Sequence, residues 1–148
     1  MKGNFIMKDY DLERFVEAQK YNYDTALSEI RSGEKRSHWI WYIFPQLRGL
    51  GRSSRSYDYG IENLDEARSY LAHPVLGTRL IEITQALLAL TDCNAGNIMG
   101  FDDVKLHSCM TLFAIASGED NSVFHKALCK FFDGKQDPQT LELLRKNN

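Results

Sequence analysis

The sequence predicts an all-α fold, a compact single-domain bundle of six to seven helices joined by short connections. The clearest sign is a run of leucine and isoleucine residues between positions 76 and 90, spaced by three or four. That spacing places them along one face of a helix. A helix-capping pattern, Asn63-Leu64-Asp65-Glu66, lies upstream of this run. No segments alternate apolar and polar residues as paired strands do, so a sheet is not expected.

Start and stop signals divide the chain into elements. Apolar spacing predicts a first helix over about residues 10–20, and a second that carries Ala26 and Ile30 and ends at Gly33. Residues 94–100 are rich in turn formers and predict a break between helices. Further helices are expected to begin at Asn63, after Pro74, at Asp102, at Asp120 or Asn121, and at Pro138. The helix that follows Asp102 is expected to turn Val104 and Phe113 inward.

The segment from His38 to Phe44 is aromatic and is followed by a loop rich in Gly, Arg and Ser. Ser37 is expected to cap a short helix here, which Pro45 stops because the residue before proline avoids the α region. Two tryptophans two positions apart cannot share one helical face, so one indole must point away from the core, toward a cleft. Beyond the loop, Ser53 or Ser54 is expected to cap a further short helix through residue 59.

Composition excludes several classes of protein. The 148 residues are 43% hydrophobic and 26% charged, with a net charge of −2. These values are typical of a folded domain and predict no general attraction to nucleic acid. No apolar run is long enough to span a membrane, so no membrane partner is expected. We expect the domain to cover residues 7–146, with residues 1–6 as a flexible extension.

Cysteine and histidine spacing gives no sign of a metal site or a cofactor. The three cysteines are far apart and form no Cys-x-x-Cys pair. The four histidines lack the spacing of zinc ligands. Reduced thiols are the simplest interpretation, which favours a cytoplasmic protein. The oligomeric state is left open.

The Gly/Arg/Ser loop beside the aromatic segment predicts a pocket for a small anion. Backbone N–H groups, hydroxyls and guanidiniums bind phosphate well, and aromatic rings can flank a base or sugar. The alternative interpretation is a solvated loop with tryptophans packed in the core. The candidate ligand-binding residues are Trp39, Trp41, Gln46, Gly51, Arg52, Ser53, Arg55, Tyr59 and, on a later helix, Ser108.

Three residues are candidates for catalysis. His38 is the first, because histidine is the side chain best suited to act as a general acid or base near neutral pH. Lys105 and Ser108 lie one turn apart on the helix after Asp102, where a lysine beside a hydroxyl could hold a phosphate. Asp103 supplies a carboxylate at the start of the same helix. For each of them the alternative is an ordinary packed or solvated side chain.

The His38–Gln46 segment with Gly49–Ser53 resembles a bacterial and fungal family of unknown function whose members are often labelled calpastatin. Further matching stretches are Phe15–Gln19, Tyr59–Ile61, His73–Gly77, Asp103–Phe113 and Phe132–Gly134. The resemblance implies a compact, mainly α-helical domain and no established activity. True calpastatins are extended chains, so the label does not suit this composition. A fainter likeness is to NAD- and ADP-ribose-associated proteins, which are small, helix-rich and built around a pocket with Trp and Lys.

Two functional hypotheses follow. In the first, the protein binds a nucleotide or ADP-ribose-like anion and, as an enzyme, hydrolyses an N-glycosidic bond through His38, Asp103 or Lys105. In the second, the aromatic and arginine-rich surface docks a protein partner, since Trp, Tyr and Arg dominate binding hot spots. The first requires that the 38–55 segment and the 103–108 helix face meet at one pocket.

Overall fold

Helices make up nearly all the regular structure of the computed structural model, which describes residues 10–147. The all-α prediction is therefore confirmed. Its helices are α1 Glu13–Gln19, α2 Tyr23–Ser32, α3 Ile40–Ile43, α4 Ser54–Asp58, α5 Leu64–Ala72, α6 Leu76–Ala89, α7 Ala95–Met99, α8 Asp103–Ser117, α9 Val123–Phe132 and α10 Pro138–Asn147. Seven of these have seven residues or more, and α3, α4 and α7 are shorter. A 3₁₀ turn, Gly100–Asp102, joins α7 to α8.

Helix α8 lies at the centre of the bundle. It packs against α5 and α9 along its length, and α10 covers another side. Buried residues therefore occur on nearly every face of α8, and they include Leu106, Cys109, Met110, Leu112 and Phe113. Helix α6 closes the bundle by packing on α2, α5 and α9, with its predicted stripe of Leu76, Leu80, Ile83 and Leu87 buried.

Helices α5 and α6 approach each other closely at Gly77. A Cβ atom at this position would lie 2.0 Å from the carbonyl oxygen of Leu71, far inside van der Waals contact. Only glycine fits here, because the obstacle is backbone rather than a movable side chain. Asn63 begins α5 as predicted, with its side chain accepting a hydrogen bond from the Glu66 N–H at 2.9 Å.

Several local predictions were wrong, among them the cap of α9, which is Ser122 and not Asp120 or Asn121. Residues 95–99 form helix α7 instead of a turn, because Asn94 caps them and Ala95, Ile98 and Met99 bury their side chains. Ser37 caps no helix, since its hydroxyl is used by Glu29. Val104 was expected to face inward but is 65% exposed, because it lies in the first turn of α8, where one side of the helix faces solvent.

The expected flexible extension, residues 1–6, lies outside the described residues. No helix between residues 10 and 147 has both the length and the apolar character needed to span a membrane. The cysteines Cys93, Cys109 and Cys129 are unpaired thiols, and burial raises the pKa of the Cys109 thiol well above its ordinary value.

Candidate functional site

The two tryptophans occupy different environments, as the helical spacing predicted. Trp39 is 1% exposed and packs in the core, where its indole N–H donates to Glu29 Oε1 at 2.9 Å. Trp41 is only partly buried, and the Arg55 guanidinium lies 5.1 Å from the centre of its ring. Trp39 therefore supports the segment, and Trp41 is the indole that a small molecule can reach.

Glu29 is a buried carboxylate that holds the chain between α2 and α3. Besides Trp39, it accepts hydrogen bonds from the backbone N–H groups of Arg36 at 2.7 Å and Ser37 at 3.0 Å, and from the Ser37 hydroxyl. Burial alone would raise the pKa of Glu29, but these hydrogen bonds outweigh it and lower the pKa to about 2. Glu29 is thus charged at neutral pH and fixes where the aromatic segment begins.

Proline and a short backbone pairing fix Gln46. Helix α3 ends at Ile43, and the next residue, Phe44, precedes Pro45 and has left the α region with φ −121° and ψ 73°. The Ile61 N–H then donates to the Gln46 carbonyl at 2.9 Å, and the Arg48 N–H donates to the Ile61 carbonyl at 2.8 Å. This isolated parallel bridge brings the chain on either side of α4 together.

The Gly/Arg/Ser loop folds back onto Gln46 through Gly51. A Cβ atom at Gly51 would lie 2.5 Å from the Ser56 Cβ, which cannot rotate away, so glycine allows this approach; the Gln46 Nε2 lies 3.5 Å from the same point. Of the two serines expected to cap this helix, Ser53 caps α4, accepting from the Ser56 N–H at 3.1 Å. The serine-bearing turn and the indole-bearing segment therefore meet in space.

These elements and α8 together enclose one small cleft, which we call the Trp41 cleft. It is lined by Trp41, Phe44, Gln46, Ser56, Tyr59, Gly60 and Lys105. Trp41, Gln46 and Tyr59 come from the predicted aromatic and loop segment, and Lys105 comes from α8. Trp41 and Gln46 of the 38–55 segment and Lys105 of the 103–108 helix face thus line one cleft, whereas Asp103 and Ser108 of that face do not line it.

Gln46 gives the Trp41 cleft a hydrogen-bonding group that is not already used. The residue is 9% exposed, its side-chain amide makes no hydrogen bond within residues 10–147, and its backbone carbonyl is the group that Ile61 occupies. No buried side-chain nitrogen or oxygen of the described residues lacks a partner, so the Gln46 amide reaches solvent at the cleft. The free space in the cleft is about 10 Å³, room for roughly one water molecule. A larger guest must therefore move a lining side chain.

Lys105 is held at the cleft by an acidic neighbour. Its Nζ lies 3.3 Å from Asp102 Oδ1, and the other oxygen of Asp102 lies 2.9 Å from the Nζ of Lys35. The Lys35 side chain is 7% exposed and that of Lys105 is 31% exposed. Of the two lysines, Lys105 is therefore the one that solvent and small molecules can contact.

Other candidate residues lie outside the Trp41 cleft. His38 is exposed and does not line it. Asp103 faces the loop before α7 and lines a separate cavity with Gly96 and Asp133. Ser108 is 3% exposed and its hydroxyl bonds the Val104 carbonyl and the Asp137 carboxylate, both at 3.1 Å. Ser108 therefore helps to hold α10 to α8.

Arg52, Ser53 and Arg55 are exposed and do not line the Trp41 cleft. Two of them contact residues that do: Arg55 stacks over Trp41, and the Ser53 hydroxyl donates to the Ser56 hydroxyl at 3.0 Å. The position of Ser53 and Arg55 suits contact with a part of a ligand that extends out of the cleft.

Sequence reasoning missed several residues of this region: Glu29, Lys35, Phe44, Ser56, Gly60 and Asp102 as a partner of Lys105. Asp102 was expected to be a helix cap, but its side chain makes no capping bond and pairs with lysines instead. The i, i+3 spacing of Asp102 and Lys105 was a readable signal for this pair. Glu29 carried no such signal, because a glutamate on an amphipathic helix normally faces solvent.

A second, open cleft lies on the other side of Tyr59. It has a volume of about 480 Å³ and is lined by three tyrosines, two arginines and four acidic residues, among them Arg48 and Tyr57. The Arg48 guanidinium stacks over the Tyr57 ring at 4.5 Å.

Across residues 10–147, no group of three or more His, Cys, Asp or Glu side chains is arranged to hold a metal ion.

Comparison with known proteins places the chain among relatives without an assigned activity. The family described as "Protein of unknown function (DUF1810)" matches residues 9–144. A solved structure, that of the conserved hypothetical protein Rv1873 from Mycobacterium tuberculosis, is 45% identical, with a TM-score of 0.89 over 92% of this chain and 97% of that one. A search of curated proteins returned no match. Neither description supports the calpastatin label or the ADP-ribose likeness.

Proposed function

The chain belongs to the DUF1810 family of unknown function, and we propose that it binds a small anionic molecule of the nucleotide or ADP-ribose type in the Trp41 cleft. One observation carries this proposal. Lys105 from α8 and the half-buried ring of Trp41 line the same cleft as the Gln46 amide, which has no partner within the described chain. A cation, an aromatic face and an unused amide are the three groups that such a ligand needs.

Each part of the ligand has a matching group. A planar ring can stack against Trp41 or Tyr59, and its polar edge can pair with the Gln46 amide, which both donates and accepts. A phosphate can pair with Lys105, and an extended anionic part can reach Arg55, Arg52 and the Ser53 hydroxyl. Because the cleft is nearly filled, binding requires that a lining side chain move, and Lys105 is the long, partly exposed side chain among them.

The geometry favours binding over bond cleavage. N-glycosidic hydrolysis needs a carboxylate near the developing charge of the sugar. The residues that line the Trp41 cleft include no carboxylate, and Asp103 faces a different cavity. Hydrolysis through His38, Asp103 or Lys105 therefore has less support than binding.

A protein partner is the second candidate, and two exposed apolar residues favour it. Phe101 is 99% exposed and Val104 is 65% exposed, both within one turn of Lys105. The surface is not the one first expected, however, because Trp39 is 1% exposed and cannot contact a partner. If a nucleotide binds and the Phe101→Ala variant binds it with the same affinity, the small-molecule proposal is favoured over a protein partner.

Isothermal titration of the purified protein with ADP-ribose, NAD, AMP and adenosine tests the proposal. We expect at least one of the charged compounds to bind and Lys105→Met to weaken it by about tenfold or more, since a charge-assisted hydrogen bond is lost. Lys126→Met is the matched control, because Lys126 is an exposed lysine of α9 that does not line the cleft. The absence of binding by all four compounds, or an equal loss in both variants, would overturn the proposal.

A further inference from the structure

Asp102 balances two lysines that differ in how firmly they are held. Lys35 pairs with it at 2.9 Å, donates to the Ser37 carbonyl at 2.6 Å, and lies 4.9 Å from the centre of the Trp39 ring. Lys105 pairs with it at 3.3 Å and has no other hydrogen bond or ion pair within residues 10–147. Lys35 is therefore fixed by the core, and Lys105 is held to Asp102 alone.

Because of this difference, Lys105 is the lysine that can break its ion pair with Asp102. An ion pair that is partly exposed and longer than ideal contributes little, and solvent competes for both partners. When Lys105 turns away, Asp102 keeps Lys35 as a partner and its charge stays balanced. No buried charge is left uncompensated, so the movement avoids the large cost of breaking a buried pair.

We infer that Lys105 exchanges partners, pairing with Asp102 in the empty protein and with the anionic group of the ligand when the Trp41 cleft is occupied. The inference rests on the proposed binding function and names Asp102 as the residue that regulates it. Lys105 lines a cleft with room for about one water molecule, so its departure from Asp102 both admits the guest and presents a cation to it. Asp102 thereby competes with the ligand for Lys105. A phosphate or carboxylate group of the ligand displaces Asp102 from this lysine.

Amine labelling tests the empty protein without any ligand. Acylation of lysines, followed by mass spectrometry, gives a rate for each side chain. We expect Asp102→Asn to raise the labelling rate of Lys105 about threefold or more, because the neutral amide no longer holds the ammonium group. Labelling of Lys35, which is 7% exposed, should stay slow, and that of Lys126 should not change. An unchanged rate at Lys105 would overturn the inference.

The wild-type protein provides a second arm in case the Asp102→Asn variant fails to fold. Raising the salt concentration screens a partly exposed ion pair. Labelling of Lys105 should therefore rise more with salt than labelling of Lys126, and an equal response of both lysines would contradict the exchange. This arm also stands if no nucleotide binds, so a failure of the proposed function and a failure of the exchange remain distinguishable.

Binding measurements test the competition itself. With ADP-ribose as the probe, Asp102→Asn should tighten binding about threefold or more, whereas Lys105→Met and the double variant should bind equally weakly. A merely structural role for Asp102 would instead weaken binding in every background. Tighter binding that persists without Lys105 would also contradict the exchange.

Discussion

Replacing Trp39 with alanine is expected to lower the free energy of unfolding by about 3–5 kcal/mol. The indole is 1% exposed and packs near Phe44, with ring centres 6.1 Å apart. Its loss leaves a cavity and removes the side chain that donates to Glu29. Chemical denaturation followed by circular dichroism measures the effect.

Trp41→Ala is the matched control for Trp39→Ala. The two residues have the same side chain and lie two positions apart, but Trp41 is only partly buried and lines the cleft. We expect it to cost about 1 kcal/mol in stability and to remove nucleotide binding. Equal losses of stability in the two variants would contradict the separate roles assigned to the two tryptophans.

The charge of Glu29 is expected to stabilise the fold by about 3 kcal/mol, a contribution that acid removes. Its pKa falls from an ordinary 4.5 to about 2 in the folded protein, so folding favours the carboxylate form. The contribution is fully present above pH 4.5 and is lost as the pH falls from 4.5 through 2. Glu29→Gln should therefore be less stable than wild type by about 3 kcal/mol at pH 7, because hydrogen bonds to a charged group are lost.

Unfolding measured at several pH values checks this prediction. The difference between wild type and Glu29→Gln should shrink as the pH is lowered toward 2. Glu34→Gln, at an exposed glutamate just after α2 that pairs with Arg36 at 3.5 Å, should show almost no difference at any pH. A constant gap for Glu29→Gln across this range would mean that the carboxylate charge does not hold the loop.

The helical fold was predictable because the formation of a helix depends on local features of the sequence, namely the spacing of apolar residues and the capping residues. Spacing identified the buried stripe of α6, and Asn63 and Ser53 cap the helices they were expected to cap. Helix α7 was missed because its five residues gain their stability from burial of Ile98 and Met99, and its Asn and Gly residues are more common in turns. Such short helices depend on tertiary packing that no local pattern records.

The site was predictable in outline and not in detail. The sequence placed Trp41, Gln46, Tyr59 and Lys105 among its candidates, and the fold brings these four together. It also included Ser108 and Asp103, which share a helix with Lys105 but point to other surfaces. Spacing along a helix says which residues can be neighbours, whereas the packing of α10 and α7 decides which face each of them meets.

Nuclear magnetic resonance of the wild-type protein tests most directly whether the Trp41 cleft is a ligand site. The indole N–H signals of both tryptophans and the side-chain amide signals of Gln46 can be followed as ADP-ribose is added. We predict saturable shifts for Trp41 and Gln46 and a nearly constant signal for Trp39, whose N–H is bound to Glu29. Signals of Trp41 and Gln46 that stay unchanged at millimolar ADP-ribose, NAD and AMP would contradict the account.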